Sequence, residues 1–319
     1  MKVLFAGTPE IAVPSLEKIA EKHEVVGVLT NPDRSSGRGR TPVPSPVKVR
    51  ALELKLPVFQ FESLRREARE ILHPLCAEIL VVFAYGRIFG PKFLGLFPRG
   101  GVNIHPSLLP MYRGSAPLIA PLLNGDSETG ITVQKITLEL DSGDILMQEI
   151  VPISDRLTTK DLSDQAALIG GRLVTKVLDK IEDGTVQSRP QNNMQATYCR
   201  KLQKGDGKIN WRLPATMIER MVRAYNPWPK AYTYWKGLQI AIRASHVKRA
   251  EEIENSDLIT EKYTPGMVAG VDKKSGILIR TGRDFLCAEA LQLQGKKVLP
   301  WKDFLNGTKI IVGSKLGDD

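Results

Sequence analysis

Apolar residues along the first 190 positions alternate between two rhythms. Continuous apolar runs, the mark of strands covered on both faces, fall at 3–6, at 24–29 and in ILVVFAYG from Ile79. Between the first two, Ile11, Leu16, Ile19 and Ala20 recur at helical spacing with charged residues among them. Strand, helix and strand in that order form the unit of a parallel sheet. Further strands are predicted at 57–60 and 102–105. Helices are predicted at 47–54, at 63–72 with Ser63 as N-cap, and at 115–123. Residues 131–140 and 145–153 read as a strand pair joined through LDSGD. A long amphipathic helix covers 160–182, entered at Thr158 or Thr159 and followed by Gly184. From 185 to 204 the pattern loosens into polar residues. Beyond a helix at 215–224, short strands alternate with turns: YTYW, LQIAIRASHVK, GMVAGV, GILIRT, FLCAEALQL and KIIVG. The expected fold class is α/β, a Rossmann-like parallel-sheet domain at 1–188, a linker at 189–205, and a C-terminal β-barrel of the oligonucleotide-binding type at 206–319.

Composition supports two full-sized cores: of 319 residues, 42% are apolar and 25% charged. The net charge of +10 is uneven, with 20 Lys and Arg against 13 Asp and Glu from Lys204 onward. That excess suits a polyanionic partner or a solvated face. No apolar run is long enough for a signal peptide or a membrane span, so a cytoplasmic protein without a membrane partner is expected. Cys76, Cys199 and Cys287 are far apart and offer no metal-ligand spacing, so no metal is expected.

Two loops stand out. The first turn, AGTPE, has one glycine and a proline where a dinucleotide fingerprint needs three glycines, which argues against a nicotinamide enzyme. Residues 31–48, NPDRSSGRGRTPVPSPVK, form a long loop without apolar period. Its Arg34, Arg38 and Arg40 suit phosphate contact, unless the loop is a solvated excursion.

The densest chemistry lies in 101–144. Asn103 and His105 are two apart in a strand and share a face. Pro106, Pro110, Tyr112, Arg113 and Gly114 make a rigid loop, and Asp141 follows 36 residues after His105, at a strand end from which a carboxylate could reach the imidazole. Each has a structural reading as well: a hydrogen-bonded core histidine, a turn aspartate. There is no GxSxG, and no cysteine lies between Cys76 and Cys199, so covalent catalysis is poorly supported. Direct transfer between two bound substrates fits better. In it His105 moves a proton, Asn103 donates to a developing oxyanion, and Asp141 orients or charges the imidazole.

SLLPMYRG at 107–114, with Asn103 and His105 before it and Asp141 after it, resembles the signature of the formyltransferases that use 10-formyltetrahydrofolate. FAGTPE, NPDRSSGRGR, SPVK, AYG, GDSETGIT, AYNPWPKA and DFLNG extend the likeness along the whole chain, toward members of that family that act on initiator tRNA. The resemblance implies a formyl transfer from the folate to the free amino group of methionyl initiator tRNA, for translation initiation. It implies Asn103, His105 and Asp141 as the catalytic trio. It implies a small-molecule folate held by Ser107, Leu108, Leu109 and Pro110 and by Tyr85, Gly86, Arg87 and Ile88. It also implies tRNA contact through Arg34, Arg38, Arg40 and Lys48 and through the basic C-terminal domain, in a monomer. Met111, Gly205 and Asn210 depart from the usual pattern of the family at positions away from the trio. Rival readings are a formyltransferase for a small amine, a folate hydrolase, and a nucleic-acid-binding protein without catalysis.

Overall fold

A computed structural model describes residues 1–35, 42–253, 263–308, 310 and 312–317. The chain divides into two compact units: the first comprises Met1–Leu118, Glu128–Pro152 and Asp161–Arg200, the second Ile119–Ser127, Ile153–Lys160 and Lys201–Asp319.

In the first unit the order is β1 (Lys2–Gly7), α1 (Val13–Ala20), β2 (Glu24–Thr30), a two-residue ribbon β3 (Arg34–Ser35) and β4 (Pro42–Val43), α2 (Pro46–Glu53), β5 (Val58–Gln60), α3 (Arg66–Leu72), β6 (Ile79–Phe83), α4 (Pro91–Leu94), β7 (Gly101–His105) and β8 (Arg113–Gly114). After α5 (Ala120–Asn124), which belongs to the second unit, come β9 (Glu128–Lys135), β10 (Ile145–Pro152), α6 (Thr159–Glu182) and β11 (Tyr198–Cys199). The main sheet runs β10-β9-β7-β6-β1-β2-β5. Five strands are parallel, and β9 and β10 add an antiparallel edge that the expectation of a parallel sheet lacked. The strand order reverses between β1 and β6, and ligands of open sheets bind beyond the strand carboxyl ends at such a switch. There Asn31 Nδ2 donates to Thr8 Oγ1 at 2.9 Å and to the Tyr85 carbonyl at 2.7 Å, tying three loops together. β6 is buried along its whole length, as its apolar run requires.

Several boundaries differ from expectation. α3 starts at Arg66 without a side-chain cap, because Phe61 and Leu64 pack into the core and hold the chain around Ser63 off the helix. The helix expected from 115 starts at Ala120: Pro117 disfavours helical backbone at Ala116, and the Ser115 and Ala116 N–H groups bond instead to the Cys199 carbonyl and thiol. β9 stops at Lys135, where the expected strand ran to 140. Residues 189–200, expected as linker, belong to the first unit: Arg189 pairs with Ile145, and β11 pairs in parallel with β8.

In the second unit, α7 (Ala215–Ala224) precedes β12 (Ala231–Trp235), β13 (Leu238–Lys248), β14 (Val268–Asp272), β15 (Gly276–Arg280), β16 (Phe285–Leu293), β17 (Leu299–Pro300) and α8 (Trp301–Gly307). The strands form one antiparallel sheet, β12-β13-β16-β15-β14, with β17 on β16. Its core gathers Trp211, Ile218, Val222, Ile240, Ile242, Ile277 and Phe304. The strand expected at KIIVG is not seen: Lys309 and Ile311 lie outside the described residues, and Val312–Gly313 form a turn. Gly313 N–H donates to the Val268 carbonyl at 2.7 Å and Gly317 N–H to that of Tyr234 at 3.0 Å.

Candidate active site

β7 brings Asn103 and His105 to the carboxyl edge of the sheet. His105 is 4% exposed. Its Nε2 lies 2.9 Å from the Tyr112 carbonyl oxygen and its Nδ1 3.5 Å from Asp141 Oδ2. Both neighbours are acceptors, so an imidazolium donating from both nitrogens satisfies the arrangement, whereas a neutral ring leaves one nitrogen lone pair facing an oxygen.

Asp141 has a left-handed backbone, φ 49°, which short polar residues tolerate. Its Oδ2 accepts from the Gly114 N–H at 2.9 Å. Its Oδ1 accepts from Gln134 Nε2 at 3.1 Å and from Asn103 Nδ2 at 3.5 Å. The three residues singled out from the sequence therefore meet, and Asp141 is the hinge between the other two. The DSG turn is held by its surroundings: a Cβ on Gly143 would run into the Lys135 carbonyl.

The support of the trio comes from residues that sequence reasoning missed. Gln191 Nε2 lies 2.9 Å from the Asp141 carbonyl oxygen, 2.7 Å from that of Gly143 and 3.0 Å from Gln134 Oε1. Its Oε1 accepts from Arg113 Nε at 3.1 Å and Nη2 at 2.8 Å. Arg113 is 1% exposed, and Asn193 Oδ1 and Tyr198 Oη take its other N–H groups at 2.7 and 3.3 Å. Only neutral oxygens hold this buried cation; among the described residues no carboxylate pairs with it. Gln134 had a signal. In the register of β7 and β9, Asn103 faces Gln134 and His105 faces Thr132, so the polar positions of ITVQK mark the site face. Gln191, a polar residue in a polar stretch, had none.

The folate-binding candidates divide into two loops. Ser107 and Leu109 are buried. Ser107 Oγ donates to the Met111 carbonyl at 2.6 Å, and Leu109 N–H donates to Thr132 Oγ1 at 3.3 Å. Gln148 Nε2 closes on the Leu109 carbonyl at 3.0 Å. Leu108 packs where Gly130 leaves no room for a Cβ, and Pro110 is half-buried. The loop after β6 buries Tyr85 against Phe89 and leaves Ile88 85% exposed, while Gly86, φ 78°, faces open space. Tyr85 Oη is buried with no hydrogen-bond partner among the described residues, and burial pushes its pKa up. Arg87 Nε donates to Asn31 Oδ1 at 2.7 Å.

Of the tRNA candidates, Arg34 is exposed on the ribbon, and Arg38 and Arg40 lie outside the described residues. Lys48 Nζ donates to Asp33 Oδ2 at 2.6 Å and to Gln60 Oε1 at 2.9 Å; its bond to Asp33, and that of Gln60 Nε2 to Asp33 Oδ1 at 2.8 Å, hold the Asp33 carboxyl below its ordinary range. Lys48 thus braces the foot of the ribbon. Cys199, remote in sequence, lies against the site, its Sγ 3.4 Å from the Tyr112 carbonyl oxygen. Burial pushes this thiol up, which keeps it protonated and a poor nucleophile. Among the described residues no cluster of potential metal ligands is present, and no helix is long and apolar enough to cross a membrane.

A formyl transferase family model matches residues 1–178, and the model of the formyl transferase C-terminal domain matches 201–309. Proteins named methionyl-tRNA formyltransferase from Treponema denticola and Coxiella burnetii are 43% and 42% identical to it, with 97% and 98% of each chain covered. The chain belongs to the methionyl-tRNA formyltransferase family. An N-formyltransferase from Helicobacter canadensis, solved with folinic acid and dTDP-3-aminofucose, has the same fold at a TM-score of 0.66 and 24% identity, over 90% of this chain and 98% of its own. In this formyltransferase both family domains carry described structure, and the trio falls within the first match.

Proposed function

We infer that this formyltransferase moves the formyl group of 10-formyltetrahydrofolate to the free amino group of methionine esterified to initiator tRNA. The observation that carries the reading is the meeting of Asn103, His105 and Asp141 at a strand carboxyl end, in a chain akin from end to end to the methionyl-tRNA formyltransferases.

When the amine attacks the formyl carbon, the formyl oxygen gains charge. Asn103 Nδ2, whose bond to Asp141 is long at 3.5 Å, donates to that oxygen. The His105 contact to Asp141, also 3.5 Å, exchanges for the oxyanion at little cost, while the 2.9 Å bond to Tyr112 keeps the ring oriented. Both donors thereby bind the transition state more strongly than the ground state. Asp141 balances the imidazolium and accepts the proton that the attacking amine sheds; His105 gives its own Nδ1 proton to the departing folate nitrogen as the C–N bond breaks and regains a proton from Asp141 afterwards.

The donor is a substrate, and the two loops suit it. Tyr85 Oη is a buried hydroxyl without a partner among the described residues, Ile88 and Met111 expose apolar surface, and residues 107–110 are fixed by Thr132 and Gln148. The Arg-rich loop, with Arg34, Arg38 and Arg40, grips the acceptor end of the tRNA. The second unit reads as an oligonucleotide-binding-type barrel, a reading supported by the bonds of Gly313 to Val268 and of Gly317 to Tyr234. The enzyme works in the cytoplasm as a monomer.

The test is to incubate the protein with 10-formyltetrahydrofolate and methionyl initiator tRNA, hydrolyse the ester, and chromatograph the amino acid. N-formylmethionine is expected. Formate released without formylmethionine, or a formylated small amine in its place, defeats the assignment.

A further inference from the structure

Tyr112 and Asp141 flank the imidazole of His105, and both have left-handed backbone, at φ 61° and 49°. A short polar residue tolerates that region, whereas a bulky aromatic one is an outlier there, and Tyr112 is the only aromatic residue among the described non-glycine residues with positive φ. Its conformation is therefore imposed by its neighbours. The chief of these is Thr197, which turns its hydroxyl oxygen, its carbonyl and its N–H onto this one loop. Thr197 Oγ1 accepts from the Tyr112 N–H at 2.9 Å, the Thr197 carbonyl accepts from the Arg113 N–H at 2.9 Å, and the Thr197 N–H donates to the Pro110 carbonyl at 3.4 Å. Two residues on, the Cys199 carbonyl accepts from the Ser115 N–H at 3.0 Å. The peptide between Tyr112 and Arg113 is trans, so its C=O and N–H point in opposite directions. With that N–H anchored on Thr197, the Tyr112 carbonyl is turned the other way, onto His105 Nε2 at 2.9 Å.

The two acceptors on the ring differ in kind. A backbone carbonyl never donates, whereas the Asp141 carboxylate can take up a proton and give it back. The carbonyl is also the nearer, at 2.9 Å against 3.5 Å. When the ring is neutral, its one proton therefore stays on Nε2, and the lone pair lies on Nδ1, facing Asp141. The transfer needs that arrangement. Nδ1 gives a proton to the leaving group and takes one back from Asp141, while Nε2 keeps one partner throughout. Thr197 itself is exposed, so substitutions there disturb no core.

We propose that Thr197 is a positioning residue of the transfer reaction: its hydroxyl holds Tyr112 in the left-handed backbone that points the Tyr112 carbonyl at His105 Nε2, and this fixes Nδ1 as the nitrogen that exchanges the proton. The proposal rests on the reading of His105 as the group that protonates the departing folate nitrogen.

The test compares wild type with T197V, T197A and T197S, and repeats T197V in a Y112N background. Valine places a methyl group where Oγ1 stood and keeps water from the Tyr112 N–H, alanine leaves room for a water, and serine keeps the hydroxyl. For each protein the melting temperature, kcat, KM for both substrates and the 15N NMR spectrum of the histidine rings are measured. The chain has four histidines, and the His105 signals are those missing from His105→Ala. In wild type, at a pH where the ring is neutral, the His105 proton is expected on Nε2. T197V is expected to lower kcat about tenfold or more with both KM values kept, and to move the neutral-ring proton toward Nδ1, where the Asp141 charge attracts it. T197A should fall between, and T197S should match wild type in both readouts. Asparagine tolerates left-handed backbone, so T197V should cost less in the Y112N background. Unchanged kcat in T197V overturns the proposal, as does a lower kcat with the His105 proton still on Nε2, which makes Thr197 merely structural. T197S as slow as T197V, or equal losses in the two backgrounds, also overturns it. If wild type forms no formylmethionyl-tRNA, the reading of the reaction fails and takes the catalytic part of the proposal with it, while the ring spectra still decide whether Thr197 orients His105.

Discussion

Gln191→Ala tests whether Asp141 is held from behind. The side chain bridges the Asp141 and Gly143 carbonyls to the guanidinium of Arg113, and its loss removes two of the bonds on a cation that is 1% exposed. Hydrogen bonds to charged groups contribute about 1.5–3 kcal/mol each, and relaxation toward Asn193 and Tyr198 recovers part, so a destabilisation of roughly 2–4 kcal/mol is expected. The Asp141 backbone, at φ 49°, loses a tether at the same time. A displacement of about 1 Å of a reacting group lowers turnover on the order of 10²-fold. Gln191→Glu separates the two effects: its carboxylate pairs with Arg113 and restores stability, but it cannot donate to the Asp141 and Gly143 carbonyls, so kcat stays low. Urea unfolding gives the first quantity, and steady-state formylation at saturating substrates the second, with KM for tRNA little altered. Wild-type kcat in Gln191→Ala would refute the claim that this residue positions Asp141.

Other outcomes follow from the same geometry. Gly143→Ala places a methyl group against the Lys135 carbonyl and should cost about 1–3 kcal/mol of stability, with kcat lowered and KM for tRNA kept; a silent substitution contradicts the tight turn. Asp272, held to about 2 by the Lys274 N–H and by Lys248, has a folded pKa below its ordinary 3.8. It therefore stabilises the fold above pH 3.8 and loses that contribution as pH falls toward 2. Asp272→Asn should lower stability by about 1–2 kcal/mol at pH 7 and almost nothing near pH 2, read from urea midpoints at both; an equal deficit at both removes the charge from the explanation. Arg38→Ala should raise KM for methionyl initiator tRNA several-fold with kcat kept, and equal kcat/KM at moderate salt takes the loop out of tRNA recognition.

Much of this was legible from residue order. ILVVF gave the buried β6, MIERMV with its flanking alanines gave α7 to the residue, and Asn103 with His105 gave one face of β7. Legibility failed where a local pattern had a competitor. Ile136, Leu138 and Leu140 continue the alternation of β9, yet Thr137 Oγ1 donates to the Glu139 carbonyl and bends the chain, leaving Leu138 and Leu140 exposed. Residues 189–200 have no apolar period because their partners are side chains and carbonyls from 113, 134, 141 and 145, fixed only after folding. Cys199 is 94 residues from His105 in sequence, and no spacing rule brings its thiol to the Tyr112 carbonyl.

The most direct measurement is a single-turnover assay of formyl transfer from 10-formyltetrahydrofolate to methionyl initiator tRNA, by wild type, His105→Ala, Asp141→Asn and the double variant. If His105 and Asp141 act as one device, each single substitution slows transfer on the order of 10²-fold or more, with tRNA affinity kept, and the double variant is scarcely slower than the slower single. Normal transfer in either single variant, or losses that multiply in the double, would contradict the account.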